Sequence, residues 1–161
     1  MEKLDTLDPL AGDVVVRNLR PADLEAVIQL DAKNVGRRRD EFFRLKLKQA
    51  LTDTGITVSL AADLDGMFVG FLLARVFYGE YGITERVAVM DVIDVHPDFR
   101  GHHVARALLG QLRTNLGGLG IRVLRTEVGW ESTDLLAFFR REGFVMAQRV
   151  CLDLELDLRA S

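Results

Sequence analysis

Residues 94–109 read DVHPDFRGHHVARALL, and the way this stretch turns decides the fold. It begins as a strand and meets Pro97, which has no N–H to give a ladder. It then turns through Arg100 and Gly101. Beyond the turn, Ala105, Leu108, Leu109, Leu112, Leu116 and Leu119 recur at helical spacing on one side. A helix that starts directly after a strand leaves its first N–H groups without intrahelical partners. Together with the helix dipole, those groups form a place for an anion such as phosphate. Gly101 allows a close backbone turn, Arg100 supplies a permanent cation, and Val104 and Ala105 start the helix. The loop lacks the Gly-Lys-Ser/Thr ending of a Walker loop, and no Gly-x-Gly-x-x-Gly occurs in the chain. On composition alone, an ordinary strand–helix connection with a glycine is an equally open reading.

Working outward, DVVVRNLR (13–20) reads as a β-branched strand, and RPADLEAVIQLDAKN (20–34) as a helix entered near Pro21, with Leu24, Val27 and Ile28 on its apolar face. RDEFFRLKLKQAL (39–51) predicts a second amphipathic helix. GITVSLAAD (55–63) and GMFVGFLLARVFY (66–78) are strands joined through Asp65-Gly66, a strong hairpin signal. TERVAVMDVIDV (84–95) is a further strand. GGLG (117–120) stops the next helix, IRVLRTEV (121–128) is a strand and STDLLAFFRREG (132–143) a helix. FVMAQRVCLDLELDL (144–158) alternates leucine with Asp153, Glu155 and Asp157, which predicts one or two closing strands with an acidic outer face. The order gives a mixed α/β sheet with helices on both faces.

The chain has 161 residues, which suits one domain over 13–161 after a flexible segment at 1–12. No apolar run approaches the roughly 18 residues of a membrane span. The start MEKLDTLDPLAGD lacks the layout of a secretory signal. A single cysteine, Cys151, is expected to pack as a small apolar residue in a reducing compartment, so the expected location is cytoplasmic. A net charge of −3 argues against nucleic acid as a partner. One local exception is KNVGRRRDEFFRLKLK (33–48), with seven Lys or Arg against two acids; it reads as a solvated face or as a surface that attracts an anionic group. His96, His102 and His103 lack zinc spacing, so no metal is expected.

IDVHPDFRGHHVARALL resembles the acyl-CoA binding segment of the GNAT superfamily of N-acyltransferases, whose pattern is Arg/Gln-x-x-Gly-x-Gly/Ala after a strand that often ends Val-His-Pro. Arg100, Val104 and Ala105 stand at matching places, and His103 replaces the usual second glycine. RTEVGWESTDLLAFFRREGF resembles the family's next strand and helix, which commonly close on Gly-Phe, here Gly143 and Phe144. VVVRNLRPAD resembles its first strand and turn. The resemblance implies a central, mostly antiparallel sheet of six to seven strands.

It also implies a chemistry: acetyl-CoA as co-substrate, direct transfer of the acyl group to a primary amine of a small molecule or peptide, and a homodimer. The pyrophosphate is then expected on Arg100, Gly101, His102, His103, Val104 and Ala105, and the pantetheine arm along the backbone of residues 92–95, Ile93, Asp94 and Val95 among them. A backbone N–H at 93–95 would polarise the thioester carbonyl. Asp91 is the first candidate to accept the amine proton through water, and Asp94 the second. In a regular strand the two point to opposite faces; a bulge would change that. The family's thiolate-protonating tyrosine corresponds to Phe139; Tyr78 or Tyr81, in the glycine-flanked loop, reads as a substitute acid, as a lining of the acceptor pocket or as an ordinary loop and strand aromatic. That missing hydroxyl, with His103, leaves room for the alternative of a non-catalytic acyl-CoA sensor.

Overall fold

A computed structural model of the chain describes residues 13–78, 82–101 and 103–158. It divides into two compact units, up to Glu127 and from Val128 onward. The expected flexible segment at 1–12 lies outside the described residues, as do Tyr81 and His102.

The first unit is built on a five-stranded sheet in sequence order: β1 (Val14–Asn18), β2 (Leu60–Leu64), β3 (Met67–Phe77), β4 (Val87–Val95) and β5 (Leu124–Thr126). The first three pairings are antiparallel, and β5 joins β4 in parallel. The β2–β3 turn is the Asp-Gly pair, with Asp65 at φ +51 and Gly66 at φ +78, the left-handed geometry that suits the twist of a two-residue hairpin. After a short turn at Pro21–Asp23 come α1 (Leu24–Val35) and α2 (Asp40–Leu51). Gly36, at φ +85, ends α1. The apolar faces of both helices meet the sheet: Val27, Ile28, Leu30, Phe43, Leu47 and Ala50 are buried with Ala61, Phe71 and Leu73.

The opposite face of the sheet receives α3 (Val104–Gly118), whose Val104, Leu108, Leu109, Leu112 and Leu116 are buried. Contact here is close because of one glycine. A Cβ added at Gly70 would lie 2.8 Å from Val104 Cγ1 and 3.2 Å from both Asp94 O and Leu108 Cδ1. Gly70 thus lets the start of α3 sit against β3 and β4.

The second unit contains α4 (Thr133–Arg141), where buried Phe139 packs on Phe144 at 4.9 Å between ring centroids. The sheet has five strands, not the expected six to seven. The expected closing strands at 144–158 are not strands, and Leu152, Leu154, Leu156 and Leu158 are exposed. Alternation marks a segment able to lie on a sheet; the ladder itself requires a neighbour, which the pattern does not encode. Cys151, in the same segment, is exposed rather than packed.

Candidate active site

The centre of β4 is irregular. Leu73 pairs with Val92, and the next residue of β3, Ala74, pairs with Met90, so Asp91 is an extra residue in a β-bulge. Directly opposed residues share a face. Val92 therefore lies with Leu73, and Asp94 with Phe71, on the side covered by α1 and α2. Asp91 faces the same side: its carboxylate accepts from Arg75 Nε at 2.9 Å, and Lys46 of α2 lies 3.9 Å away. The bulge brings both expected carboxylates to one face.

Their environments differ. Asp91 is held by two cations. Among the described residues Asp94 has no ion pair at contact distance; Asn34 Nδ2 donates to its Oδ1 at 2.6 Å and the N–H of Val95 donates at 3.0 Å. Burial raises its pKa, and the nearby Asp31 carboxylate adds to this, to about 6 against the opposing hydrogen bonds. Asp31 is itself 2% exposed and paired with Arg39 at 2.6 Å, so Arg39 is held well above its ordinary value by that carboxylate. Asp94 is a carboxyl poised to exchange protons near neutrality.

Beside Asp94, one edge of β4 is open. β5 pairs with β4 only from Ala88 to Met90. On the other edge, the N–H of His96 donates to Val69 O of the β3 side at 2.8 Å. By strand alternation, Asp94 and Val92 also turn their backbone groups toward β3 and Ile93 turns its own to the open edge, while the N–H of Val95 is taken by Asp94 and its carbonyl by Asn34. Among the described residues no strand covers that edge. An extended chain can add to it through main-chain hydrogen bonds.

The edge runs straight into the loop. His96 Nδ1 accepts from the N–H of Asp98 at 3.1 Å, which sets the turn at Pro97–Phe99. Gly101 follows at φ +83, and a Cβ there would meet nothing within 4 Å, so the glycine answers a conformation rather than a lack of space. His103, the N-cap of α3, is also left-handed at φ +59 and makes no side-chain cap. This is where the family pattern has a glycine, and histidine is among the side chains that tolerate that region better than most. The first turn of α3 and the Arg100 guanidinium form a donor set suited to pyrophosphate.

Sequence reasoning missed Asn34, Arg75 and Lys46, and no spacing rule could have found them, since they reach β4 from distant elements. It placed the cations of 33–48 on one surface, but Arg38 is engaged with Glu25 and Asp40, Arg39 with Asp31 and Lys46 with Asp91. No helix among the described residues is long and apolar enough to cross a membrane.

The model of the acetyltransferase (GNAT) family matches residues 24–144. The chain belongs to that family. Aminoglycoside N(6′)-acetyltransferase type 1 of Stenotrophomonas maltophilia is 31% identical over 144 residues, 88% of this GNAT chain and 92% of the relative. Two solved structures share the GNAT fold. Aminoglycoside N-acetyltransferase AAC(6′)-Iy in complex with CoA superposes with a TM-score of 0.75 at 22% identity, covering 92% of this chain and 99% of that one. Ribosomal-protein-alanine N-acetyltransferase from Brucella melitensis biovar Abortus 2308 gives 0.72 at 22%, covering 89% and 100%. The protein is a GNAT-type N-acetyltransferase.

Proposed function

We propose that this acetyltransferase moves an acetyl group from acetyl-CoA directly to a primary amine of a small, cationic molecule, with Asp94 as the proton acceptor. The observation that carries this reading is a half-buried carboxyl, raised to about 6, beside the open backbone edge of β4. The pantetheine arm adds to that edge at Ile93, and the pyrophosphate takes the donors of Arg100, Gly101 and the first turn of α3. The amine nitrogen attacks the thioester carbonyl, whose oxyanion is met by the N–H of Ile93. Collapse breaks the C–S bond and releases CoA as thiolate, while the amine proton passes through water to Asp94. A thiol with a pKa of about 8.5 leaves as thiolate without obligatory acid help, so Phe139 in place of tyrosine is compatible with turnover. Asp91, neutralised by Arg75 and Lys46, shapes the bulge instead.

A small cationic acceptor is supported by the name of the relative from Stenotrophomonas maltophilia. The deciding experiment measures free-thiol release from acetyl-CoA with aminoglycosides bearing a 6′-amine, with polyamines and with alanine-terminated peptides. Turnover with the first group supports the reading. Turnover confined to the peptides moves the acceptor class, and CoA binding without turnover on any amine overturns the catalytic assignment.

A further inference from the structure

Asn34, near the end of α1, makes three contacts with one side-chain amide. Its Nδ2 donates to Asp94 Oδ1 at 2.6 Å and to Val95 O at 2.8 Å. Its Oδ1 accepts from Arg100 at 2.6 Å. Both hydrogens and the oxygen of the amide are thereby assigned, and its orientation is fixed by the network. The residue stands between the carboxyl read above as proton acceptor and the cation read above as part of the pyrophosphate loop. Nothing in the proposed chemistry requires this link, and Asn34 touches neither reacting atom in that scheme.

We propose that Asn34 is a positioning residue that joins Arg100 to Asp94, so that an anion at the loop is felt at the proton acceptor. The inference rests on the reading of the loop as the acetyl-CoA site. The direction follows from the order of donors. Arg100 polarises the amide, whose hydrogen then stabilises the Asp94 carboxylate. A pyrophosphate that competes for Arg100 withdraws this support, so Asp94 binds its proton more tightly once CoA is seated. The acceptor becomes a stronger base when the acetyl donor is in place. Linkage requires the reverse as well: CoA binds better as Asp94 gains its proton.

The groups around Asp94 act in both directions. Asp31 from α1 favours its neutral form and Arg100 its charged form. Arg39, which precedes α2, also lies within electrostatic reach of Asp94, while Arg75 of β3 and Lys46 of α2 are held by Asp91. Phosphates would also act on Asp94 through space, and that part persists without Asn34. The amide-borne part does not.

The test is a carboxyl ¹³C NMR titration of Asp94, identified by its loss in Asp94→Asn, with and without CoA, in wild type, Asn34→Ala and Asn34→Asp. In the wild type, CoA is expected to move the Asp94 midpoint upward by about half a pH unit or more. In free Asn34→Ala the midpoint is already higher, and CoA moves it by less than about half as much as in the wild type. Asn34→Asp keeps an oxygen for Arg100 but removes the hydrogens and adds a carboxylate, so its free midpoint rises further. A CoA-induced movement equal in wild type and Asn34→Ala, or absent from a wild type that binds CoA, overturns the inference. Failure of the wild type to bind CoA removes the cofactor reading and this coupling with it. The raised midpoint in free Asn34→Ala would still report the contact itself.

Discussion

Asp91 and Asp94 lie on the same face of β4, three residues apart, because the bulge at Asp91 adds a residue between the pairs Leu73–Val92 and Ala74–Met90. Among the described residues, Asp91 has ion-pair partners at contact distance and Asp94 has none. Asp94→Asn is expected to lower kcat by roughly 10²-fold or more, the scale of lost general-base help. Asp91→Asn should keep most of the turnover but lose stability by about 1 kcal/mol, because Arg75 and Lys46 lose their carboxylate. Steady-state kinetics and thermal melts of the two variants check this; the opposite ranking would return the proton-acceptor role to Asp91.

The pH dependence follows from the pKa of Asp94, raised to about 6. The active form is the carboxylate, so kcat/KM should rise through pH 6, kcat, which reports the CoA-bound enzyme, should level off at a somewhat higher pH, and Asp94→Asn should lose both limbs. The stability consequence has the opposite sign. A carboxyl raised in the folded state binds more protons there than in the unfolded chain. Its stabilising contribution is complete below about 4 and disappears as pH rises through 6. Asp94→Asn is therefore expected to be more stable than wild type at pH 8, by on the order of 1–2 kcal/mol, with the difference closing toward pH 4. Urea melts at the two pH values measure it.

The strand–turn–helix at 94–109 was legible because Pro97, Gly101 and the leucine spacing of α3 each act locally. The hairpin at Asp65-Gly66 was legible for the same reason. The bulge was not, since Asp91 sits in a run that reads as ordinary strand and a bulge is defined by the partner's register. Asn34 was invisible for a related reason: its partners are 60 and more residues away. At 144–158 the alternation was read correctly as a pattern and wrongly as a ladder. A period of two states which side chains share a face, and it is silent on what lies beside them.

Gly70 is the point at which the sheet admits α3. Gly70→Ala places a methyl group 2.8 Å from Val104 Cγ1 and 3.2 Å from the backbone oxygen of Asp94, and the latter cannot rotate aside. Overpacking of this kind costs about 1–3 kcal/mol. Because Val104 opens α3, the strain falls on the helix end that carries the loop. Loss of CoA affinity by several-fold is expected alongside the lowered melting temperature, measured by calorimetric titration below the transition. Unchanged affinity in a destabilised Gly70→Ala protein would show that the loop is positioned independently of this contact.

His103 holds φ +59 at the N-cap of α3 with a side chain that makes no cap. A left-handed residue with a Cβ costs roughly 1 kcal/mol relative to glycine. Glycine loses part of that advantage to the greater freedom of the unfolded chain, about 0.4–1 kcal/mol. His103→Gly should therefore be near neutral in stability. His103→Val places a β-branched side chain in the same conformation and should destabilise by more than about 1 kcal/mol. Affinity for CoA separates backbone from side chain. If the loop binds pyrophosphate through its amides, His103→Gly retains binding and His103→Val weakens it. Equal loss in both variants would instead assign the grip to the imidazole, and the left-handed backbone would then serve to aim that ring at the phosphates.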